Sequence, residues 1–394
     1  MKILLIILLA LSKPIYCELK TQTTLQKKFT FEDILDNGEY KVLIKKLSGN
    51  LELIGHPGSS MYVVSDYKIS KNKKKLNINE SVSTSIIEKE IRIDILEERL
   101  KNIKIHIPVN TSFNLNSASG DLNIRNIKGQ INVNSNYGDI SFINVYGNIT
   151  ITNNAGNIIM ENITGNSSII LKNGKFKMKN SSGFVKAEIE EGSINNKNFK
   201  GVIQNNIIGG DIQLTSIDSA VIQNIIKSGS LYAKDIFGSI SSNIFNGSID
   251  LVNIYGLTSI NGNNSKIYFK NIKSDLIIKL ESGNINGTDI FGSIDCTTND
   301  GSITIEKSFS PSYYTHNINL ESKHGDINLI VPENLYFNLN LILQESTNHK
   351  NISSYIPLEK MIVNNSVIAK SLHRSSGITC SIKSLNGKIS IENF

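Results

Sequence analysis

The stretch "GSISSNIFNGSIDLVNIYG", Gly238 to Gly256, returns a glycine every nine residues. The same step runs unbroken through Gly120, Gly129, Gly138, Gly147, Gly156, Gly165, Gly174, Gly183, Gly192, Gly201 and Gly210. Ser219 takes the next place, one extra residue follows, and the phase resumes at Gly229, Gly238, Gly247 and Gly256. Ser265 and Ser274 then substitute before Gly283, Gly292 and Gly301. A fixed short period marks a repeat architecture. Between glycines, apolar residues alternate with polar ones, as Leu122 with Ile124 and Ile140 with Phe142. That is strand periodicity, and β-branched Ile and Val suit it. Glycine then serves the corners, where positive φ costs it nothing.

A second ladder sets the true period. Asn126, Asn144, Asn162, Asn180 and Asn198 stand eighteen apart, followed by Ser216 and, after the slip, Asp235, Asn253, Asn271 and Asp289. An apolar residue usually follows, as Ile127, Val145 and Ile163 do. The alternate glycine corner lacks such a ladder. Two nine-residue units therefore make one coil with two unlike corners. The pattern predicts an all-β, single-stranded β-solenoid of about 18 residues per coil. Ten coils at strand spacing give a rod on the order of 48 Å long. Stacked Asn side chains are expected to bond from coil to coil.

The flanks are less regular. Residues 1–17 read as a signal peptide: Lys2 supplies the charge, Ile3 to Leu11 the apolar run, and cleavage is placed near Cys17. Lipidation of Cys17 is the weaker alternative, because Tyr16 stands where a small residue is usual. The run is too short to span a bilayer as a helix. Residues 18–110 read as an N-terminal β region leading into the solenoid, 111–306 as the regular solenoid, and 307–394 as irregular coils, loops and a cap. "KNKKK", Lys71 to Lys75, reads as a solvated hairpin tip, with a weak anionic-ligand site as its alternative. The last strands, in "GITCSIKSLNGKISIENF", are expected to cap the open end. Cys296 and Cys380 read as small buried hydrophobes rather than a disulfide.

The residues from Ile105 to Ile140 resemble the bacterial "putative adhesin" family of β-strand-repeat proteins, catalogued as a domain of unknown function. Pro108, the "SASGDL" of Ser117 to Leu122, Gly129 and the "SNYGDI" of Ser135 to Ile140 carry the resemblance. "LSGNLELIG", "ESKHGDINLIVPENLYFNLNL" and "SLNGKISI" extend it over roughly residues 40–394. The resemblance implies a right-handed β-helix in the bacterial envelope with no established enzymatic activity.

Composition narrows the chemistry. Net charge is +6, but Arg occurs only at Arg92, Arg99, Arg125 and Arg374. A chain so poor in Arg lacks the usual groups for bidentate phosphate and base-edge contacts, so nucleic acid is not an expected partner. Asp121 and Asp139, eighteen apart, are the sharpest catalytic candidates, as a stacked acid–base pair of a polysaccharide lyase or hydrolase. Against that, Asn157, Ser193 and Ser239 occupy comparable sites, and no long loops wall a cleft. The six histidines are scattered, no calcium nonapeptide or H-E-x-x-H occurs, and no metal or cofactor is expected. Tyr313 and Tyr314, in a loop after the array, are the candidate partner contacts. The reading is an exported, non-enzymatic envelope solenoid in the periplasm, at the surface or outside the cell. It presents a polar rod face to a glycan or to an envelope or host protein. A periplasmic scaffold is the first alternative and a β-helix lyase or hydrolase the second.

Overall fold

The computed structural model of the chain describes residues 22–29, 40–68, 82–96, 100–312, 316–371 and 377–394. The proposed signal peptide with Cys17, the basic run 71–75, and Tyr313 with Tyr314 lie outside the described residues.

Parallel pairing steps by eighteen through the array. Ile140 lies between Leu122 and Ile158, and Ile149 between Ile131 and Ser167. The coil 138–155 shows how sequence becomes cross-section. Ile140, Phe142, Val145, Ile149, Ile151 and Asn153 are buried, whereas Asp139, Tyr146 and Asn148 are exposed. Strict alternation would send Val145 outward. Asn144 prevents this by adopting φ 57°, which turns the chain so that Val145 also faces the core. Every ladder residue from Asn126 to Asp289, Ser216 included, has φ between 52° and 59°. Asn and Asp tolerate this left-handed conformation better than other side chains. The apolar residue after each one joins a continuous column: Ile127, Val145, Ile163, Phe199, Ile217, Ile236, Ile254, Ile272 and Ile290 are all buried. Each buried Ile contributes about 2 kcal/mol relative to exposure.

The glycine corners answer to two constraints. Gly138 has φ 122°, and a Cβ on it would collide with the carbonyl of Gly120 one coil below. Positive φ alone would admit Asn; the backbone contact admits only glycine. The slip after Ser219 is absorbed locally. Ser219 bonds Gly201 eighteen residues back, whereas Gln204 Nε2 bonds Gln223 Oε1 nineteen away at 3.0 Å. The extra residue therefore falls between Ser219 and Gln223.

Both ends differ from sequence order. Strand Asn50–His56 pairs with Leu100–Pro108 on one side and Leu122–Lys128 on the other. Coil 41–56 is thus sandwiched between coils formed later in the chain. Glu52 bonds Lys104 at 2.7 Å and Arg125 at 2.5 Å, one partner on each neighbouring strand. The C-terminal end repeats the device and corrects the expected cap. Thr379–Ser384 and Ile389–Asn393 do not close the rod; they insert between coil 318–331 and the strands Asn338–Leu343 and Ile352–Ser354. The outermost element is the antiparallel pair Leu358–Val363 and Ser366–Ser371. At the other end antiparallel strands play that part: Gln22–Phe29 lies outside Met61–Lys68, and Val82–Ile87 flanks Glu90–Ile95. Cys296 and Cys380 are free and buried, and burial pushes both thiols up, so they stay protonated.

Candidate ligand-facing corner

The Asn corner is a column of side-chain hydrogen bonds. Asn144 Nδ2 donates to Asn126 Oδ1 at 3.0 Å, and Asn162 to Asn144 at 2.9 Å. Asn198 donates to Asn180 at 3.0 Å, Asn253 to Asp235 at 2.6 Å, and Asn271 to Asn253 at 2.8 Å. An amide can donate to the coil below and accept from the coil above, so the ladder propagates; a carboxylate can only accept. Asp235 therefore ends one run of the ladder, and Ser216 beneath it is too short to replace the amide.

Two residues beyond each ladder position the chain reaches the tip of the corner. Tyr146, Thr164, Ser182, Lys200, Asp218, Phe237, Tyr255 and Lys273 follow one another up the rod there, all exposed except the half-buried Ser182 and Lys273. Phe237 is 55% exposed, and its ring stacks on Tyr255 with centroids 4.5 Å apart and planes 7° apart. Lys273 Nζ then lies 5.3 Å from the Tyr255 centroid and 5.9 Å from that of Phe291. Backbone bonds hold this spacing: Tyr255 N donates to Ile236 O, Lys273 N to Ile254 O, and Phe291 N to Ile272 O, each at 2.9 Å. Below Phe237, a shallow hollow of about 500 Å³, open to solvent, is lined by Ser216, Ile217, Asp218, Asp235 and Phe237.

Above Phe291 the ladder ends on a residue that sequence reasoning passed over. Lys307 pairs with Ile290 rather than with Asp289, so it enters the apolar column. It is fully buried, and its Nζ donates to the carbonyls of Ile290, Phe291 and Ser308 at 3.0, 2.7 and 3.0 Å. His316 Nδ1 lies 3.4 Å away. Burial pushes the Lys307 ammonium down to about 7, against the nearby charge of Asp275. This cluster fastens the connection that leaves the corner after residue 307. Nothing shows it open to a substrate. The signal was present in the sequence as a lysine eighteen residues after Asp289, at the step where the ladder calls for Asn or Asp.

The carboxylates weighed for catalysis sit at the opposite corner and are already engaged. Asp121 Oδ1 accepts the backbone N–H of Asp139 at 2.9 Å, and Asp139 Oδ1 accepts that of Asn157 at 2.7 Å. Asp121 N in turn donates to Asn50 Oδ1 at 3.0 Å. They line an open groove of about 700 Å³ together with Glu52 and Lys104. A carboxylate that holds the next coil's backbone is a structural group, and this corner therefore has a ladder that the sequence reading missed. Among the described residues no group of three or more His, Cys, Asp or Glu could hold a metal ion. No described helix is long and apolar enough to cross a membrane.

Coils of fixed interior and freely varying corner tips define a parallel β-solenoid whose chemistry is written on its outside. Residues 58–232 match the family model Toastrack DUF4097, a domain of unknown function. A "putative cell adhesion protein" from Clostridium sporogenes is similar over 95% of this chain and 100% of its own, at 11% identity and a TM-score of 0.17. A "putative lipid binding protein" from Parabacteroides distasonis covers 72% of this chain and 96% of its own, at 13% identity and a TM-score of 0.27. A "putative adhesin" from Bacteroides fragilis covers 73% and 97%, at 13% identity and a TM-score of 0.22. No curated protein matches the sequence.

Proposed function

We propose that the chain is an exported, non-enzymatic adhesin of the cell surface whose Asn-laddered corner meets a glycan or protein partner. The observation that carries this reading is the exposed aromatic column of Phe237 and Tyr255. Exposed aromatics are costly to solvate and add nothing to the core of the coil, yet here they are stacked and held at fixed spacing. A rigid element that presents aromatic and hydrogen-bonding groups along one line suits recognition of an extended partner. Tyr313 and Tyr314 follow the same corner in the chain and remain contact candidates in this reading.

Protease shaving of intact cells carrying a C-terminal epitope tag, with a periplasmic control protein, tests the location. Loss of the tag with the control intact is the expected result. A tag protected until the envelope is opened overturns surface adhesion.

A periplasmic scaffold is the second reading, favoured by the outermost strand Leu358–Val363. That strand exposes Met361, Ile362 and Val363 at 41, 49 and 42%, and among the described residues it pairs along one edge, with Ser366–Ser371. Unprotected apolar edges are sites of chain-to-chain pairing. Concentration-dependent self-association, abolished by Ile362→Lys, would favour this reading over adhesion.

A further inference from the structure

Two carboxylates and one uncovered aromatic face meet where the array loses its period. The amide ladder breaks between Ser216 and Asp235, because neither residue carries an amide to span the gap. The extra residue between Ser219 and Gln223 falls in the same coil. The aromatic column begins there too: Phe237 has Tyr255 against one face, and below it the corner tip is the short side chain of Asp218. The other face of Phe237 is thus turned to the hollow of about 500 Å³. Both faces of Tyr255, by contrast, are taken. Tyr255 lies between Phe237 and Lys273, and Phe291 has Lys273 over it.

We infer that this hollow is a binding site for one pyranose ring, neutral or amine-bearing, at the end or within the chain of a glycan. The inference rests on the adhesin reading of this corner and names its ligand class. The chemistry follows from the lining. A flat aromatic wall takes the C–H face of a sugar ring. Asp218 and Asp235 accept hydrogen bonds and cannot donate, so they select a ligand rich in O–H or N–H donors. Asp235 keeps one oxygen on Asn253 at 2.6 Å, which fixes its rotamer and leaves the second oxygen for a ligand hydroxyl. Among the described residues Asp218 forms one ion pair, with Lys200 at 3.4 Å and side chains 66 and 77% exposed, a pair that a ligand can displace at little cost. Two carboxylates at the mouth disfavour acidic sugars. The site is built on two stacked coils rather than on loops, so little ordering is required on binding.

Saturation-transfer NMR on the full chain, with glucose, galactose, mannose, glucosamine and glucuronate as separate probes, tests the site. At least one neutral or amine-bearing sugar is expected to receive saturation and glucuronate none. Phe237→Ala should weaken the response at least tenfold, and Tyr137→Ala, at an exposed tyrosine on the other corner, should leave it unchanged. Asp235→Asn preserves the acceptor for Asn253 and so guards against a folding artefact; it too should weaken binding severalfold. The inference is overturned if no sugar responds, if Phe237→Ala and Tyr137→Ala behave alike, or if a trilysine peptide binds the hollow and no sugar does. Sugar binding insensitive to Phe237→Ala would remove this site while leaving an adhesin. Binding dependent on Phe237 in a chain that resists shaving would keep the site and remove surface adhesion.

Discussion

The two corners of each coil perform the same turn with different chemistry. At one, an Asn in the left-handed region bonds the Asn of the next coil, side chain to side chain. At the other there is no left-handed Asn, and the residue after glycine bonds the next coil's backbone, as Asp139 does to Asn157; at the first corner Asn148 and Asp275 make that bond as well. The first arrangement leaves its tip residue, two places on, without structural duty. The second uses its polar side chain to satisfy a backbone donor and allows less choice. Aromatic, basic, acidic and small residues alternate at the first tip from Tyr146 to Phe291, whereas Asn, Asp and Ser recur after the glycine of the second. Variation collects where the backbone is already satisfied, and the candidate site lies there.

The largest effect expected from this comparison concerns a glycine pair at the second corner. Gly210 has φ 129° and its added Cβ would collide with the Gly192 carbonyl; Gly209, its neighbour, would meet only the Glu190 carbonyl at 3.7 Å. Gly210→Ala should destabilise the rod by about 3 kcal/mol or more, from strain and overpacking together. Gly209→Ala should be neutral or stabilise by about 0.5 kcal/mol through the unfolded chain. Chemical denaturation of the two variants separates them. Equal losses would mean that coil spacing, and not the glycine corner, sets the fold.

Next in size is the end of the first corner's apolar column. Lys307 ionises near 7 in the folded chain, below its ordinary 10.5. Between those values the unfolded chain holds a proton that the folded chain has released. Stability should therefore rise as pH climbs from about 7 towards 10.5 and stay flat in this respect below 7. Lys307→Met should flatten that slope, since an apolar group of similar size tolerates the column. Thermal midpoints of both proteins across pH 6.5 to 10 provide the check. Identical slopes would mean that the three carbonyls keep the ammonium charged throughout.

The sequence made the repeat legible for a simple reason: both of its ladders are backbone requirements repeated many times. Positive φ and close coil contact recur every eighteen residues, so Asn126 to Asp289 and the glycines stand out against any composition. The ends were not legible, because insertion of coil 379–393 beneath coil 338–354 is a matter of order in space, and the same Ile-rich alternation would serve in any order. Buried polar rows were hidden too. Asn205 bonds Asn224 at 2.9 Å and Asn224 bonds Ser242 at 3.1 Å inside the core, in a chain where most Asn lies outside. The aromatic column escaped notice because Phe237 and Tyr255 occupy a tip position that no rule of the coil constrains. The carboxylates Asp121 and Asp139 were visible, but a corner that bonds backbone rather than side chain looks irregular in sequence.

The smallest effects should come from the tip itself, and they test whether the first corner is free to vary. Asn162 donates to Asn144 and holds φ 57°, so Asn162→Ala should cost about 1 to 2 kcal/mol, from conformational strain and a lost bond. Asn162→Gly should cost less, because glycine keeps the conformation. Thr164, two residues on, is exposed and stands at the tip. Thr164→Lys and Thr164→Tyr should each stay within about 0.5 kcal/mol of the parent chain. A corner that tolerates both at Thr164 while punishing Ala at Asn162 separates a fixed turn from a variable surface within three residues. By the same logic Phe237→Ala should leave stability almost untouched, so any loss of binding in that variant reads directly on the hollow. A loss of stability at Thr164 comparable to that at Asn162 would mean that the tip, too, belongs to the fold, and the aromatic column would then need no ligand to explain it.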